Sequence, residues 1–259
     1  MILLCDLDGV VWLAHQPIPG SVEALGRWME SGHEVVFVTN NSSATIDEQE
    51  KYLATIGINS FGRVVSSSTA AGRLVHAGER VFVVGGPGIA EAVKDAGAVV
   101  LGSVERGDPV DAVVVGIDRE FSYSKLTAAS IAVRAGARFV ATNHDPTYPT
   151  PTGLTPGGGA IVAAVAYASE TVAIYAGKPQ RTMFDAAKEC GRALLGRDVR
   201  TDEVVVVGDR LDSDGTFAHN AGVRFCHVRS GVDAIAPVGV DSHTDLEHAI
   251  NSLMTECDG

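Results

Sequence analysis

The sequence is poor in the features that mark several functional classes. It has only four cysteines, Cys5, Cys190, Cys226 and Cys257, with none in a C-x-x-C pair and none at zinc-site spacing. A disulfide framework is therefore excluded, and buried or free thiols in a reducing compartment are expected. It lacks a basic surplus: 20 Lys and Arg stand against 32 Asp and Glu, for a formal charge of −12. That excludes a nucleic-acid backbone as partner, because there is no excess of cations to displace its counterions. A small anionic substrate is still within reach, since a bound divalent metal can supply a local positive field. Long hydrophobic runs are absent too. The most apolar stretch, Ala160 to Ala168, is too short to span a bilayer. Asp6 and Asp8 interrupt the opening apolar run too early for a secretory signal, so a cytoplasmic protein without membrane contact is expected.

What is present is an alternation. Short β-branched runs (ILLC, EVVFVT, RVFVVG, DAVVVG, RFVAT, VAIYA, EVVVVG, RFCHV) recur between helical patterns. Most are apolar throughout, the mark of parallel strands covered on both faces. Between them, Val22, Leu25 and Met29 form one stripe of a helix that stops at Gly32. Thr45 and Glu48 read as a capping box, as do Thr244 and Glu247, and Leu246, Ile250 and Leu253 share a face. Pro179 suits the first turn of another helix. The pattern predicts a doubly wound, Rossmann-like α/β fold built on a parallel sheet. The stretch Asn143 to Gly159 carries several prolines and glycines and reads as a long functional loop rather than an element.

Several strands end in polar residues of useful kinds. ILLC delivers Asp6 and Asp8; EVVFV delivers Thr39, Asn40 and Asn41; VAIYAG delivers Lys178; EVVVVG delivers Asp209, with Asp214 beyond. Ligands of open parallel sheets bind outside these carboxyl ends. Clustered carboxylates repel one another unless a hard cation holds them, and Mg²⁺ prefers oxygen ligands. Thr39, Asn40 and Lys178 offer donors to phosphoryl oxygens. A free carboxylate can attack phosphorus, and a second one nearby can serve as acid and base. Asp6 is read as the nucleophile and Asp8 as the acid/base. Two residues apart on extended backbone, their side chains point the same way.

These residues, in this order, resemble the haloacid dehalogenase superfamily of phosphatases. DLDGV, VTNN, AGKP and GDRLDSD match its four motifs, and DLDGVVW, TNNSS and ATNHDPTYPTPTGLTPGGGA look like the branch of NagD, 4-nitrophenylphosphatases and phosphoglycolate phosphatases. The resemblance implies a catalytic core at 1–76 and 172–259 and an inserted α/β cap at 77–171. It implies Mg²⁺ held by the Asp6 carboxylate, the Asp8 carbonyl and Asp209. Thr39, an amide near Asn40 and Lys178 would bind phosphate, with Asp214 supporting Lys178 or metal-bound water. Asn143, His144 and Asp145 are the cap residues offered to substrate, and the family makes a homodimer plausible.

The expected activity is Mg²⁺-dependent hydrolysis of a small phosphorylated metabolite through an aspartyl phosphate. Phosphoglycolate, glycerol phosphate, pyridoxal phosphate and sugar phosphates are candidates, and 4-nitrophenyl phosphate an artificial substrate. The alternatives are a sugar-phosphate-binding protein without turnover and a phosphomutase on the same fold. A receiver-type signalling module is disfavoured by motif order and length. VVGGPG, Val83 to Gly88, reads as a strand–helix turn and TPGGGA as a helix start. Trp12 and Trp28 read as packing residues, and His144 and Tyr148 as candidate specificity residues.

Overall fold

The computed structural model describes residues 1–150 and 153–257, with the side chains of 149, 150 and 257 outside the described set. Cys257 is thus beyond a test of its thiol; Cys5, Cys190 and Cys226 are free.

The first sheet is parallel throughout. It contains β1 (Ile2–Cys5), β4 (Glu34–Thr39), β5 (Val64–Ser66), β13 (Val204–Gly208), β14 (Arg224–Val228) and β15 (Ser242–His243). Their spatial order is β15-β14-β13-β1-β4-β5. β1 and β13, near the middle, are buried along their whole length, as their unbroken apolar runs require. A small ribbon, β2 (Trp12–Leu13) with β3 (Gln16–Pro17), follows β1. The second sheet is also parallel: β6 (Arg80–Val84), β7 (Val99–Leu101), β8 (Ala112–Val115), β9 (Arg138–Ala141) and β12 (Ile174–Tyr175), in the order β12-β9-β8-β6-β7. β12 ends beyond the expected boundary at residue 171. Between β9 and the return to the first sheet lies an antiparallel hairpin, β10 (Thr147–Thr150) with β11 (Gly153–Pro156).

That hairpin corrects the reading of Asn143 to Gly159 as structureless. Its prolines are tolerated because each strand of a two-stranded ribbon has one free edge.

Nine helices among the described residues cover the sheets: α1 (Ser21–Glu30), α2 (Ile46–Thr55), α3 (Ser67–Gly72), α4 (Pro87–Asp95), α5 (Tyr123–Arg134), α6 (Gly158–Ser169), α7 (Arg181–Leu195), α8 (Thr216–Ala221) and α9 (Leu246–Cys257). α2 carries the expected capping box. α9 does not: Asp245 Oδ1 accepts from His248 N at 3.0 Å, so the short Asp245 carboxylate caps the helix in place of Thr244. Pro179 lies before the N-cap of α7, Gln180, rather than inside its first turn. On α1 the buried residues are Ser21, Ala24, Leu25 and Trp28, with Val22 and Met29 at the rim. Trp28 donates its indole N–H to Glu34 O at 3.1 Å, satisfying the polar atom that its burial would otherwise strand. No helix among the described residues is long and apolar enough to cross a membrane.

One apolar cluster joins the two sheets. It runs from Leu4, Val36 and Val38 through Ala70, Ala71 and Val75 to Ile89, Val93, Val114 and Val140. The second sheet is thus packed onto the first by helices α3 and α4 and is not tethered by linkers alone.

Candidate active site

The carboxyl ends of β1, β4 and β13 deliver their polar residues to one place. Lys178 Nζ lies 2.7 Å from Asp6 Oδ1 and 2.7 Å from Asp214 Oδ1. Asp6, Lys178, Asp209 and Asp214 are all buried. A cavity of about 60 Å³ is lined by Asp6, Asp8, Thr39, Asn40 and Asp209 from the first sheet's side, by Asn143, Asp145 and Tyr148 from the other, and by Lys178 just beyond β12.

Local folding explains each placement. After β1 the chain turns at Gly9, whose φ of +90° suits glycine, and a Cβ there would stand 2.4 Å from Asp209 Oδ2. Gly231 is closer still: its Cβ would meet Asp209 Oδ2 at 1.9 Å. The Asp209 carboxylate is therefore seated against two bare backbones, and its Oδ2 accepts from Val232 N at 2.6 Å. A π-helical turn, Leu211–Gly215, then folds Asp214 back beneath the strand end, where its Oδ2 accepts from Arg210 N at 3.1 Å.

The electrostatics follow from burial and crowding. Burial raises the Asp6 carboxyl well above the usual range. Lys178 opposes that rise, while Asp214 and Asp209 add to it. Asp209 is pushed up to about 7, by burial first and by Asp214 second. Burial alone would depress the Lys178 ammonium, but Asp214 and Asp6 outweigh it and hold its pKa above the ordinary value. Three carboxylates with one ammonium leave two negative charges uncompensated, the deficit a divalent cation fills.

The donor set fits such an ion. Asp6, Asp209 and Asp214 bring ligand oxygens within 4.8 Å of one another. Asp209 Oδ1 is buried with no hydrogen-bond partner, a state that costs free energy unless something binds it. All donors are hard oxygens, as Mg²⁺ requires.

Asp8 stands apart from this cluster. Its Oδ1 accepts from Trp12 Nε1 at 3.2 Å and from Tyr148 OH at 3.3 Å. Burial raises its pKa, against the opposing effects of His15 and these two hydrogen bonds. Thr39 Oγ1 accepts from Asn41 N at 3.0 Å. Asn40 acts as a bracket: its Oδ1 accepts from Lys178 N at 2.8 Å, and its Nδ2 donates to Asp145 Oδ2 at 3.0 Å and Lys178 O at 3.2 Å. Its side chain is thereby committed, and only its backbone amide is free to serve a phosphoryl oxygen.

The expected cap residues divide. Asn143 makes an Asx turn, accepting from Asp145 N at 3.1 Å, and also donates to Asn40 O at 2.7 Å. Asp145 faces the cavity, and burial raises its pKa. His144 does not line the cavity. It is exposed and meets Tyr175 edge-on at 5.8 Å, because its two neighbours turn inward. Arg210 and Ser213 line the cavity and were missed, since they occupy the spacer of the last motif. Tyr148 is drawn in by a hairpin whose pairing the prolines concealed. Trp12 both packs and holds Asp8, so its reading as a packing residue was incomplete.

Comparison with known proteins decides the family. The profile of the haloacid dehalogenase-like hydrolases matches residues 3–99, and a HAD-hydrolase-like profile matches 175–252. A D-glycerol 3-phosphate phosphatase of Mycobacterium tuberculosis is 38% identical over 97% of this chain and 70% of its own. The chain belongs to the haloacid dehalogenase-like hydrolases. It lies in the branch that its motifs resemble, which includes p-nitrophenyl phosphatase and NagD-like proteins. An acid sugar phosphatase of Staphylococcus aureus is 33% identical over 96% of both chains. A glycerol phosphate phosphatase from M. tuberculosis, solved in complex with magnesium, superposes with a TM-score of 0.82 at 35% identity. That match covers 95% of this chain and 75% of the other.

Proposed function

We propose that this chain is a Mg²⁺-dependent phosphatase that hydrolyses a small phosphomonoester through a phosphorylated Asp6. The observation that carries the reading is the buried Lys178 ammonium between Asp6 and Asp214, beside an Asp209 oxygen that has no partner. Asp6, Asp209 and the Asp8 carbonyl would hold the metal. When bound, Mg²⁺ neutralises charge on the phosphoryl oxygens.

The rest is done by side chains. Lys178 takes Asp6 Oδ1, which leaves Oδ2 to attack phosphorus in line. Asp8 Oδ1 is occupied by Trp12 and Tyr148, so the proton rides on Oδ2. Asp8 gives that proton to the departing alkoxide, then takes one from the water that cleaves the aspartyl phosphate. Thr39, the Asn40 amide and Lys178 bind the transferred group, and Asp214 anchors Lys178. Positioning and charge stabilisation supply most of the rate.

The unit from about residue 77 to Tyr175, with its hairpin, acts as a cap that encloses the phosphate and reads the organic part of the substrate. Asp145, facing the cavity, suits a hydroxyl-bearing substrate such as glycerol phosphate or a sugar phosphate. The relatives named for those substrates support that range. A homodimer would pair exposed Tyr167, Val172 and Ile174 at the β12 edge of the second sheet. Three free thiols suit the cytoplasm.

The test is phosphate release from a panel of small phosphoesters, with Mg²⁺ and after chelation. Turnover should appear only with metal. Asp6→Asn should lose about 10⁴-fold or more, the scale of a lost nucleophile, with the circular dichroism spectrum unchanged. Residual activity near wild type in that variant defeats the assignment.

A further inference from the structure

A second cluster of metal-ligand side chains lies away from the catalytic cavity, at the outer edge of the first sheet. Strands β14 and β15 are parallel neighbours, with His227 opposite Ser242 and Val228 opposite His243. Side chains alternate along a strand, so Arg224 and Cys226 share one face of β14. Asp241 and His243 project to the same face from β15 and the residue before it. Cys226 Sγ lies 3.1 Å from Asp241 Oδ2, and His243 Nε2 lies 2.8 Å from Asp241 Oδ1. One ligand atom from each of the three falls within 4.8 Å of the others.

We propose that Cys226, Asp241 and His243 form a binding site for a thiophilic divalent metal ion of the Zn²⁺ type. The ligand set is one sulfur, one imidazole nitrogen and one carboxylate oxygen. That combination suits borderline-soft Zn²⁺ and is poor for Mg²⁺. Sequence spacing conceals it, because no two of the three residues make a familiar zinc motif. Cys226 is fully buried, while the Asp241 and His243 side chains are 33% and 16% exposed. The site therefore has an apolar floor and one face open for the ion and for a water as fourth ligand.

Binding has to displace the resting charge arrangement. Burial and Asp241 hold the Cys226 thiol protonated in the metal-free chain. Binding releases that proton to solvent, and the thiolate with Asp241 then balances the ion. Arg224, which now contacts both Asp241 and Glu256, keeps Glu256 as its partner.

The site has a structural consequence. The segment between β14 and β15 carries Gly231 and Val232, which seat and hydrogen-bond Asp209. A metal joining Cys226 to Asp241 and His243 would clasp the base of that loop.

The purified chain in excess Mg²⁺, which occupies the oxygen-rich triad, is titrated with Co²⁺ and then Zn²⁺. An equimolar amount of Co²⁺ should produce thiolate-to-cobalt charge-transfer absorption that Zn²⁺ abolishes. Cys226→Ser should remove that absorption, and Cys226→Ser and His243→Asn should each weaken Zn²⁺ retention at least tenfold, about what even an outer-shell contact is worth. His243 is partly exposed, so its variant serves if Cys226→Ser fails to fold. Absence of the band in the unaltered chain overturns the proposal. So does Zn²⁺ retention that survives both variants and vanishes in Asp209→Asn, which would put the ion in the catalytic cavity.

Discussion

Tyr148 donates a 3.3 Å hydrogen bond to Asp8 from a hairpin 140 residues further along the chain. The same phenol accepts from Asn41 Nδ2 at 3.4 Å, so a residue beyond β4, a residue of the hairpin and the proposed acid/base, Asp8, form one chain of polar contacts. The bond favours the charged form of Asp8 and holds its pKa below the level that burial alone would set.

Tyr148→Phe should therefore raise the pKa of Asp8. In the proposed role of general acid Asp8 must be protonated, so the alkaline limb of the pH–rate profile should move upward. kcat should fall several-fold, with little change in thermal midpoint. The profile for an alkyl phosphomonoester tests this, and a limb that stays in place removes Tyr148 from the proton economy of the site.

Asp8→Asn removes the proton donor while keeping the acceptors for Trp12 and Tyr148. Losses of about 10²- to 10⁴-fold are expected for alkyl phosphates. 4-Nitrophenolate leaves well without protonation, so its ester should lose far less. Equal losses for the two esters would argue that Asp8 does something other than protonate the leaving group.

Metal removal should expose the carboxylate crowding as a pH effect on stability. Asp209 is pushed up to about 7, against roughly 3.9 in an unfolded chain. A carboxyl with a raised folded-state pKa stabilises the fold below its unfolded value, and that contribution is lost as pH rises through about 7. The chelated protein should thus lose thermal stability across that window. Mg²⁺ competes with this proton, so its stabilising shift should be larger at about pH 8 than at about pH 5.5. Calorimetry at the two pH values decides it; a shift independent of pH would mean that Asp209 is ionised throughout.

Gly231→Ala would place a methyl 1.9 Å from Asp209 Oδ2. The carboxylate must swing away, and the Mg²⁺ concentration for half-maximal activity should rise by about tenfold or more. Titration of phosphate release with Mg²⁺ reads this directly. An unchanged midpoint would show that Asp209 is not seated by its glycine neighbours.

Much of this was legible in residue order. Apolar runs such as VVVVG and ILLC read as buried parallel strands because nothing but a covered sheet keeps them from water. The polar residues at their ends converge because a doubly wound sheet gathers those ends into one crevice. Other features depend on contacts that chain order does not encode. β7 and β15 are too short to show a period. Nothing in residue order shows that the Asn40 side chain brackets Lys178 and Asp145, which leaves its backbone amide for the proposed phosphate contact. Thr244 satisfies the capping-box pattern and Asp245 does not, yet it is Asp245 Oδ1 that accepts from His248 N. Prolines that argued against strands at 143–159 are harmless at the free edges of a ribbon.

Lys178 is also the point where the chain returns from the second sheet. Ala176 N and Gly177 N donate to Ala141 O at 3.0 Å and Thr142 O at 2.7 Å, continuing the β12–β9 ladder to the residue before the lysine. The ammonium is therefore mounted on the rim of one sheet while its countercharges, Asp6 and Asp214, belong to the other. Any sliding of the two layers translates at once into a change of electric potential at the Asp6 carboxylate. A shift by a single residue would present glycine or proline where the cation belongs. Mechanical fidelity between the layers and chemical competence of Asp6 are, in this molecule, one property.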